Sequence, residues 1–332
     1  MNTTLSVRAD RRYILPAMTS TVFIDGEAGT TGLQIHERLA PRADISLISL
    51  DEETRKDANA RREALNDADV AILCLPDEAA REAVSMVTSN TAIIDASTAH
   101  RAMDDWVYGF PEYERGFRES VRASRRISNP GCYAITSVAL LHPLVARGLL
   151  PEDYPVSINA VSGYSGGGKS LIAAFEELDA SNHINSVVYS YALSLAHKHI
   201  PEITRWGGLS HPPIFVPAVG RYRQGMLVQV PLALWNLPGS PKAVDLHGAL
   251  ADHYDGEMFV KVAPFEETET AVKLDPEALN GTNELRLFVL HNEETQQAVL
   301  VGLLDNLGKG ASGQAVQTLN LLMGADEGEG LA

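Results

Sequence analysis

The sequence predicts an α/β fold: a doubly wound parallel-sheet (Rossmann) domain, followed by an α+β domain with a mixed or antiparallel sheet. Three observations predict it. Short β-rich runs alternate with helical stretches over the first third of the chain. Gly26-x-x-Gly29-x-x-Gly32 stands between the first such run and the first helix. After Ser128-Asn129-Pro130 the character changes and strand-like segments dominate. At 332 residues the chain is too long for one small core, so two domains are expected. The expected division is an N-terminal extension over 1–20, a first domain of 21–131 joined by 308–332, and a second domain of 132–307.

The elements follow in order. Thr21 to Ile24 is a short strand, and the apolar face of Leu33, Ile35 and Leu39 predicts a helix after the glycine turn. Ile45 to Leu50, Val70 to Leu75 and Ala92 to Ile94 are the next strands. Helices are expected between them, over Arg55 to Leu65 and Glu78 to Val87. The almost wholly apolar runs at Val70 and Ala92 suit a sheet buried on both faces. Beyond the break a helix is expected from about Tyr133 to Arg147. Strands are expected over Val156 to Val161, Ile214 to Val219, Met226 to Leu234, Glu257 to Val262, Glu284 to Leu290 and Val299 to Asp305. A last helix, Gly310 to Met323, precedes an acidic, glycine-rich tail.

The first twenty residues carry Arg8, Arg11 and Arg12 before a short apolar patch, Tyr13 to Leu15. That patch is shorter than a signal-peptide core, and the expectation is an extension without order, the fold beginning just after Met18. No apolar run approaches the roughly 18 residues that span a bilayer. A formal charge of −16, from 43 acidic and 27 basic side chains, disfavours nucleic-acid and anionic-membrane partners through long-range repulsion. The two cysteines, Cys74 and Cys132, read as free thiols of a reducing, cytoplasmic compartment.

The glycine turn lets backbone approach a pyrophosphate at a helix N-terminus, where unpaired N–H groups and the helix dipole favour anions. The spacing differs from the commoner G-x-G-x-x-G, so its strand-turn-helix setting carries the assignment. The choice of nicotinamide cofactor stays open. Asp51, after the second strand, suits a ribose hydroxyl and hence NAD, whereas Arg55 and Lys56 suit a 2′-phosphate and hence NADP.

Ser128-Asn129-Pro130-Gly131-Cys132-Tyr133 is the most informative hexapeptide. Pro130 and Gly131 make a turn, and Cys132 opens an apolar helix. A thiol in the first turn of a helix meets the positive end of the dipole, which is expected to lower its pKa for attack on an activated acyl group. Cys74 shows the opposite setting, mid-strand in an apolar run, and is expected to be inert.

The chain resembles the shorter N-acetyl-γ-glutamyl-phosphate reductases, in the wider superfamily that includes aspartate-semialdehyde dehydrogenase. The matching segments are Phe23 to Gly32, Asp95 to Arg101, Tyr108 to Glu112, Ser128 to Tyr133, Ser162 to Lys169, His197 to Glu202 and Asp305 to Gly310. They span almost everything after residue 20, in family order. The resemblance implies NADPH-dependent reduction of N-acetyl-L-glutamyl 5-phosphate to the 5-semialdehyde, a step of arginine biosynthesis, through a thioester on Cys132. It implies His199 as acid/base and a homo-oligomer, dimer or tetramer. Implied cofactor contacts are Gly26, Ala28, Gly29, Thr30, Thr31, Gly32, Ser49, Arg55, Pro76, Ser97, Gly166, Asn306 and Lys309. Implied substrate contacts are Arg101, Asn129, Ser165, Lys169, His197 and Glu202.

The residues themselves bear on several of these. His197 and His199, two apart, would face one side of an extended segment, and Glu202 would orient one of them. H-x-H is also a metal-ligand spacing, but no further Cys/His cluster accompanies it, and no metal is expected. Gly163 to Ser170 satisfies the Walker A pattern. It follows a nucleotide-binding unit and lacks a following strand ending in Asp, which weakens a hydrolase reading, and the resemblance implies that this loop lies beside the active site and serves the substrate. Arg101, just past the fourth strand, suits a phosphate or carboxylate. The alternatives are the same chemistry on another acyl phosphate such as aspartyl phosphate, a nucleoside-triphosphate hydrolase built on Gly163–Ser170, and a non-catalytic NADP-binding regulator.

Overall fold

The computed structural model describes residues 19–270 and 272–331. The expectation for the N-terminal extension falls almost wholly outside the described residues.

Six strands form the first sheet: β1 (Ser20–Asp25), β2 (Ile45–Ile48), β3 (Val70–Leu73), β4 (Ala92–Asp95), β5 (Val107–Tyr108) and β6 (Arg126–Ser128). Their order is β2-β1-β3-β4-β6-β5 and every pairing is parallel. Three crossover helices serve it: α1 (Thr30–Leu39), α2 (Ala58–Asp67) and α3 (Asp77–Met86), with α4 (Phe117–Ala123) before β6. Val22, Ile24, Ile72 and Ile94 point to one face, where Ile35 and Leu39 of α1 pack. Phe23, Ala71, Leu73 and Ile93 point to the other, against Leu65, Ala80 and Ala83. Burial on both faces is why these strands read as continuous apolar runs.

The chain then enters α5 (Cys132–Ala146), whose residues from Tyr133 to Leu144 are all buried. A helix apolar on every side belongs inside a core. Its neighbours form the second sheet, a mixed one of seven strands: β7 (Ser157–Gly163), β8 (Val188–Ser190), β9 (Ile214–Gly220), β10 (Met226–Ala233), β11 (Val260–Val262), β12 (Leu285–Asn292) and β13 (Gln297–Leu304). The order is β11-β12-β13-β10-β7-β9-β8. Helices α6 (Gly168–Glu176), α7 (Ile200–Trp206), α8 (Ala243–His253) and the short α9 (Glu267–Thr270) lie among these strands. A π-turn, Gly308–Ser312, leads into α10 (Gly313–Met323), which returns Ala315, Val316 and Leu319 to the first sheet.

Several boundaries differ from the sequence reading for identifiable reasons. The helix expected from Arg55 starts at Ala58, because Asp57 caps it and Asp51 instead accepts the Thr54 N–H at 2.8 Å. The strand expected from Glu257 covers only Val260–Val262, since Gly256 turns the chain with φ +77°. The two- and three-residue strands β5 and β6 are too short to carry a periodicity. Helix α8 was not expected, although Ala243, Leu246, Ala249 and Leu250 form a buried stripe at helical spacing. No helix among the described residues is long and apolar enough to cross a membrane.

Candidate active site

The C-terminal ends of β1, β3 and β4 and the N-terminus of α5 face a cavity of about 650 Å³. Its walls include Gly29, Thr30 and Thr31, Arg101, Asn129, Cys132, His197 and His199, the loop Ser165 to Lys169, and Asn306. Gly29, Cys74 and Leu75 are shared with a second cavity of about 830 Å³, which runs past Gly26 and Ala28 to Ser49, Arg55, Lys56 and Pro76. The two make one groove over the edge of the parallel sheet, where doubly wound folds bind ligands.

The glycine turn fits a dinucleotide. Gly26 has φ +89°, and a β-carbon there would lie 2.4 Å from the Cys74 carbonyl oxygen. Gly29 caps α1 without any side-chain hydrogen bond, and the buried Thr30 hydroxyl has no protein partner. Donors at a helix N-terminus therefore face the groove beneath a backbone that only glycine permits.

Cys132 is the first residue of α5 and is half-buried. The expected low pKa is not what this environment produces. Burial pushes the thiol up, against the opposing pull of Arg101, the Tyr133 N–H and Lys198, and the balance stays above the ordinary value. The dipole and cations only offset desolvation, so ionising this sulfur calls for a base. Cys74 lies just past β3 on the groove wall, and its thiol is pushed up to about 12 by burial and by Asp95 and Asp25.

His199 lines the same cavity. Its ring stands against Gly131, where an added β-carbon would come 2.5 Å from Nε2. Burial, then Arg101, His197 and Lys198, hold its pKa well below the ordinary histidine value, leaving a neutral imidazole at neutral pH. The pair does not sit on an extended strand as expected. His199 has helical dihedrals as the N-cap of α7, and its N–H donates to His197 Nδ1 at 3.1 Å. His197 in turn meets the Tyr191 hydroxyl at 3.3 Å.

Glu202 stands behind the site. It accepts from the Gly131 N–H at 2.9 Å, the Tyr108 hydroxyl at 2.9 Å and Arg101 at 3.2 Å. Arg101 also donates to the carbonyls of Asn129 at 2.9 Å and Ala96 at 2.8 Å, which leaves part of its guanidinium for the cavity. The Walker-like segment leaves β7 as a tight turn, Tyr164–Gly167, before α6. Asn306 ties that turn down, donating to Ser165 Oγ at 3.0 Å and accepting the Gly225 N–H at 2.7 Å. Lys169 is exposed at the cavity rim.

Comparison with known proteins bears on this arrangement. Residues 21–120 match the model of the semialdehyde dehydrogenase NAD-binding domain, and residues 132–306 match that of the semialdehyde dehydrogenase dimerisation domain. An N-acetyl-gamma-glutamyl-phosphate reductase 2 of Nostoc sp. is 52% identical over 317 residues, covering 93% of this chain and 98% of its own. The N-acetyl-gamma-glutamyl-phosphate reductase of Burkholderia lata is 53% identical over 306 residues, covering 92% and 96%. The chain belongs to the N-acetyl-gamma-glutamyl-phosphate reductase family. Two solved structures share its fold at low identity. Aspartate semialdehyde dehydrogenase from Francisella tularensis has a TM-score of 0.67 at 13% identity, covering 92% of this chain and 100% of that one. Aspartate semialdehyde dehydrogenase II from Vibrio cholerae, complexed with ASA, has a TM-score of 0.64 at 15%, covering 92% and 98%.

In this reductase-family chain, four expected contacts stand back from the groove. Lys309 is fully buried, donating to Glu112 at 2.8 Å and Gln317 at 2.7 Å, because the π-turn aims it away from the cavity. Ser97 turns its hydroxyl to Asp95 at 2.7 Å, and Ala96 lines the wall instead. Gly32 packs on the turn itself, its β-position 2.5 Å from the Gly26 carbonyl. The Glu202 carboxylate hydrogen-bonds neither histidine and meets the groove through Arg101 and Gly131. Conversely, Arg61 and Tyr191 line the cavities unanticipated. Arg61 is held by Asp25 at 2.9 Å from a helix whose sequence shows only an ordinary charged face.

Proposed function

We propose that the chain reduces N-acetyl-L-glutamyl 5-phosphate to N-acetyl-L-glutamate 5-semialdehyde with NADPH, releasing inorganic phosphate, as a cytoplasmic step of arginine biosynthesis. The observation that carries this reading is the meeting, in one groove, of a cysteine at a helix mouth, a neutral buried histidine and a glycine turn. More than 50% identity to reductases of that name supports the substrate over aspartyl phosphate.

His199 takes the thiol proton as the Cys132 sulfur attacks the acyl carbon. The C–S bond forms as the C–O bond to phosphate breaks, giving a thioester. Arg101, Ser165 and Lys169 suit the anionic groups of the substrate. The nicotinamide, when bound, supplies the hydride that reduces the thioester carbon. His199 returns its proton as the adduct collapses to aldehyde and free Cys132.

Residues 21–131 with 308–332 are assigned to the cofactor and 132–307 to the substrate. Arg55, Lys56 and Ser49 at the far end of the groove favour the 2′-phosphate of NADP. Asp51 does not line that cavity and is engaged with Thr54. Exposed Val188, Ile214 and Val216, on neighbouring strands of the second sheet, suit a homo-oligomeric contact.

The deciding experiment follows phosphate-dependent NADP⁺ reduction with N-acetylglutamate semialdehyde. Cys132→Ser should abolish turnover and leave NADPH binding intact; retained activity in that variant ends the reading. Arg55→Ala should raise the KM for NADPH about tenfold, with NADH unaffected.

A further inference from the structure

The polypeptide passes between the two sheets at Cys132, where α5 begins, and again along the π-turn Gly308–Ser312. These crossings touch. A β-carbon on Gly310 would lie 2.8 Å from that of Cys132. The π-turn is thus the wall against which the nucleophile is set, and Asn306, Leu307, Gly310 and Ala311 all face the groove.

Lys309 points the other way, into a closed polar knot. Its ammonium donates to Glu112 and Gln317 and lies 5.6 Å from the centre of the Phe110 ring and 5.4 Å from that of Phe259. Gln317 donates to the same Glu112 oxygen at 2.9 Å and to Glu327 at 2.7 Å. Phe110 and Glu112 follow β5 of the first sheet, whereas Phe259 precedes β11 of the second. Both charged side chains of the pair have no solvent exposure. Such a pair is poor at adding stability, since apolar residues of similar volume often do as well. What it does supply is a fixed joint, because moving either partner away would leave a buried charge unpaired.

We propose that Lys309 and Glu112 are positioning residues: their buried ion pair pins the π-turn, and so sets the Cys132 thioester against the nicotinamide. This rests on the reductase reading above. Sulfur, His199 and the Ser165 loop belong to the second sheet and its helices, and Arg101 of the first domain is tied to α7 through Glu202, away from the knot, while the glycine turn belongs to the first sheet. Loosening the joint should therefore spare acylation and slow hydride transfer.

The test uses full-length Lys309→Met, Glu112→Gln and the double variant. Phosphate released in a single turnover without NADPH reports acylation. NADPH oxidation, with the transferred position carrying hydrogen or deuterium, reports hydride transfer. Acylation should stay within about threefold of wild type while kcat falls about a hundredfold, the scale of a 1 Å misplacement. The isotope effect on kcat should rise as hydride transfer becomes limiting. The double variant leaves no lone buried charge, so its urea midpoint should recover while its slow hydride step persists. A double variant with wild-type kcat would overturn the proposal, as would one of wild-type stability that loses acylation and hydride transfer equally. A wild-type chain inert toward N-acetyl-glutamyl phosphate would count against the reductase reading itself, and differs from an active wild type with an active double variant.

Discussion

At the scale of single residues, the site works by opposing desolvation with a few placed charges. Cys132 has a raised pKa and His199 a depressed one, so the resting pair is thiol and imidazole. In the proposed mechanism, proton transfer then accompanies attack. His199→Gln should lower kcat by about 10²–10⁴, the usual loss for a missing acid/base, with little change in NADPH affinity by fluorescence titration. The acid limb of kcat/KM should lie below the ordinary histidine pKa, because His199 stays neutral as pH falls through that value. A limb at or above pH 6.5 would contradict the assignment. That Cys132 opens a helix was legible in Pro130-Gly131-Cys132 before an apolar run. Its pKa was not, since burial is a property of everything folded around it.

At the scale of elements, tight turns carry the geometry. Gly26 joins β1 to α1 in a left-handed conformation with a carbonyl 2.4 Å from the missing side chain. Gly26→Ala should cost about 1–3 kcal/mol of stability and weaken NADPH binding, read by urea unfolding and titration. A substitution neutral in both would show that the turn relaxes freely. The H-x-H segment illustrates where sequence spacing misleads. Two residues apart meant one face of a strand, but Pro201 at the start of α7 bends the segment into a helix entry. The rings consequently stand 85° apart with centroids at 4.7 Å.

At the scale of the whole molecule, charge ties the two halves and the tail together. Arg118 of α4 bridges Glu257, before β11, and Glu327, beyond α10. Arg118→Met should strand two half-buried carboxylates and lower unfolding free energy by about 1–3 kcal/mol, measured in urea. The histidines add a pH dependence. His197 is pushed down to about 4 by burial and Lys198, and His199 lower than ordinary, so the unfolded chain binds more protons on the acid side. Stability should therefore fall as pH drops from about 6.5 toward 4. His197→Gln should flatten that fall in thermal melts.

The βαβ alternation, the glycine turn, the cysteine at a helix mouth and the apolar core helix were determined by sequence alone. Each rests on local periodicity or on residue types that only one backbone accepts. The tertiary structure decided which charges meet: that Lys309 faces Glu112 rather than the cofactor, that Glu202 holds Arg101 rather than a histidine, and that burial outweighs the dipole at Cys132. The two pairings join residues 197 and 101 positions apart, and electrostatic energy depends on distance and desolvation in space.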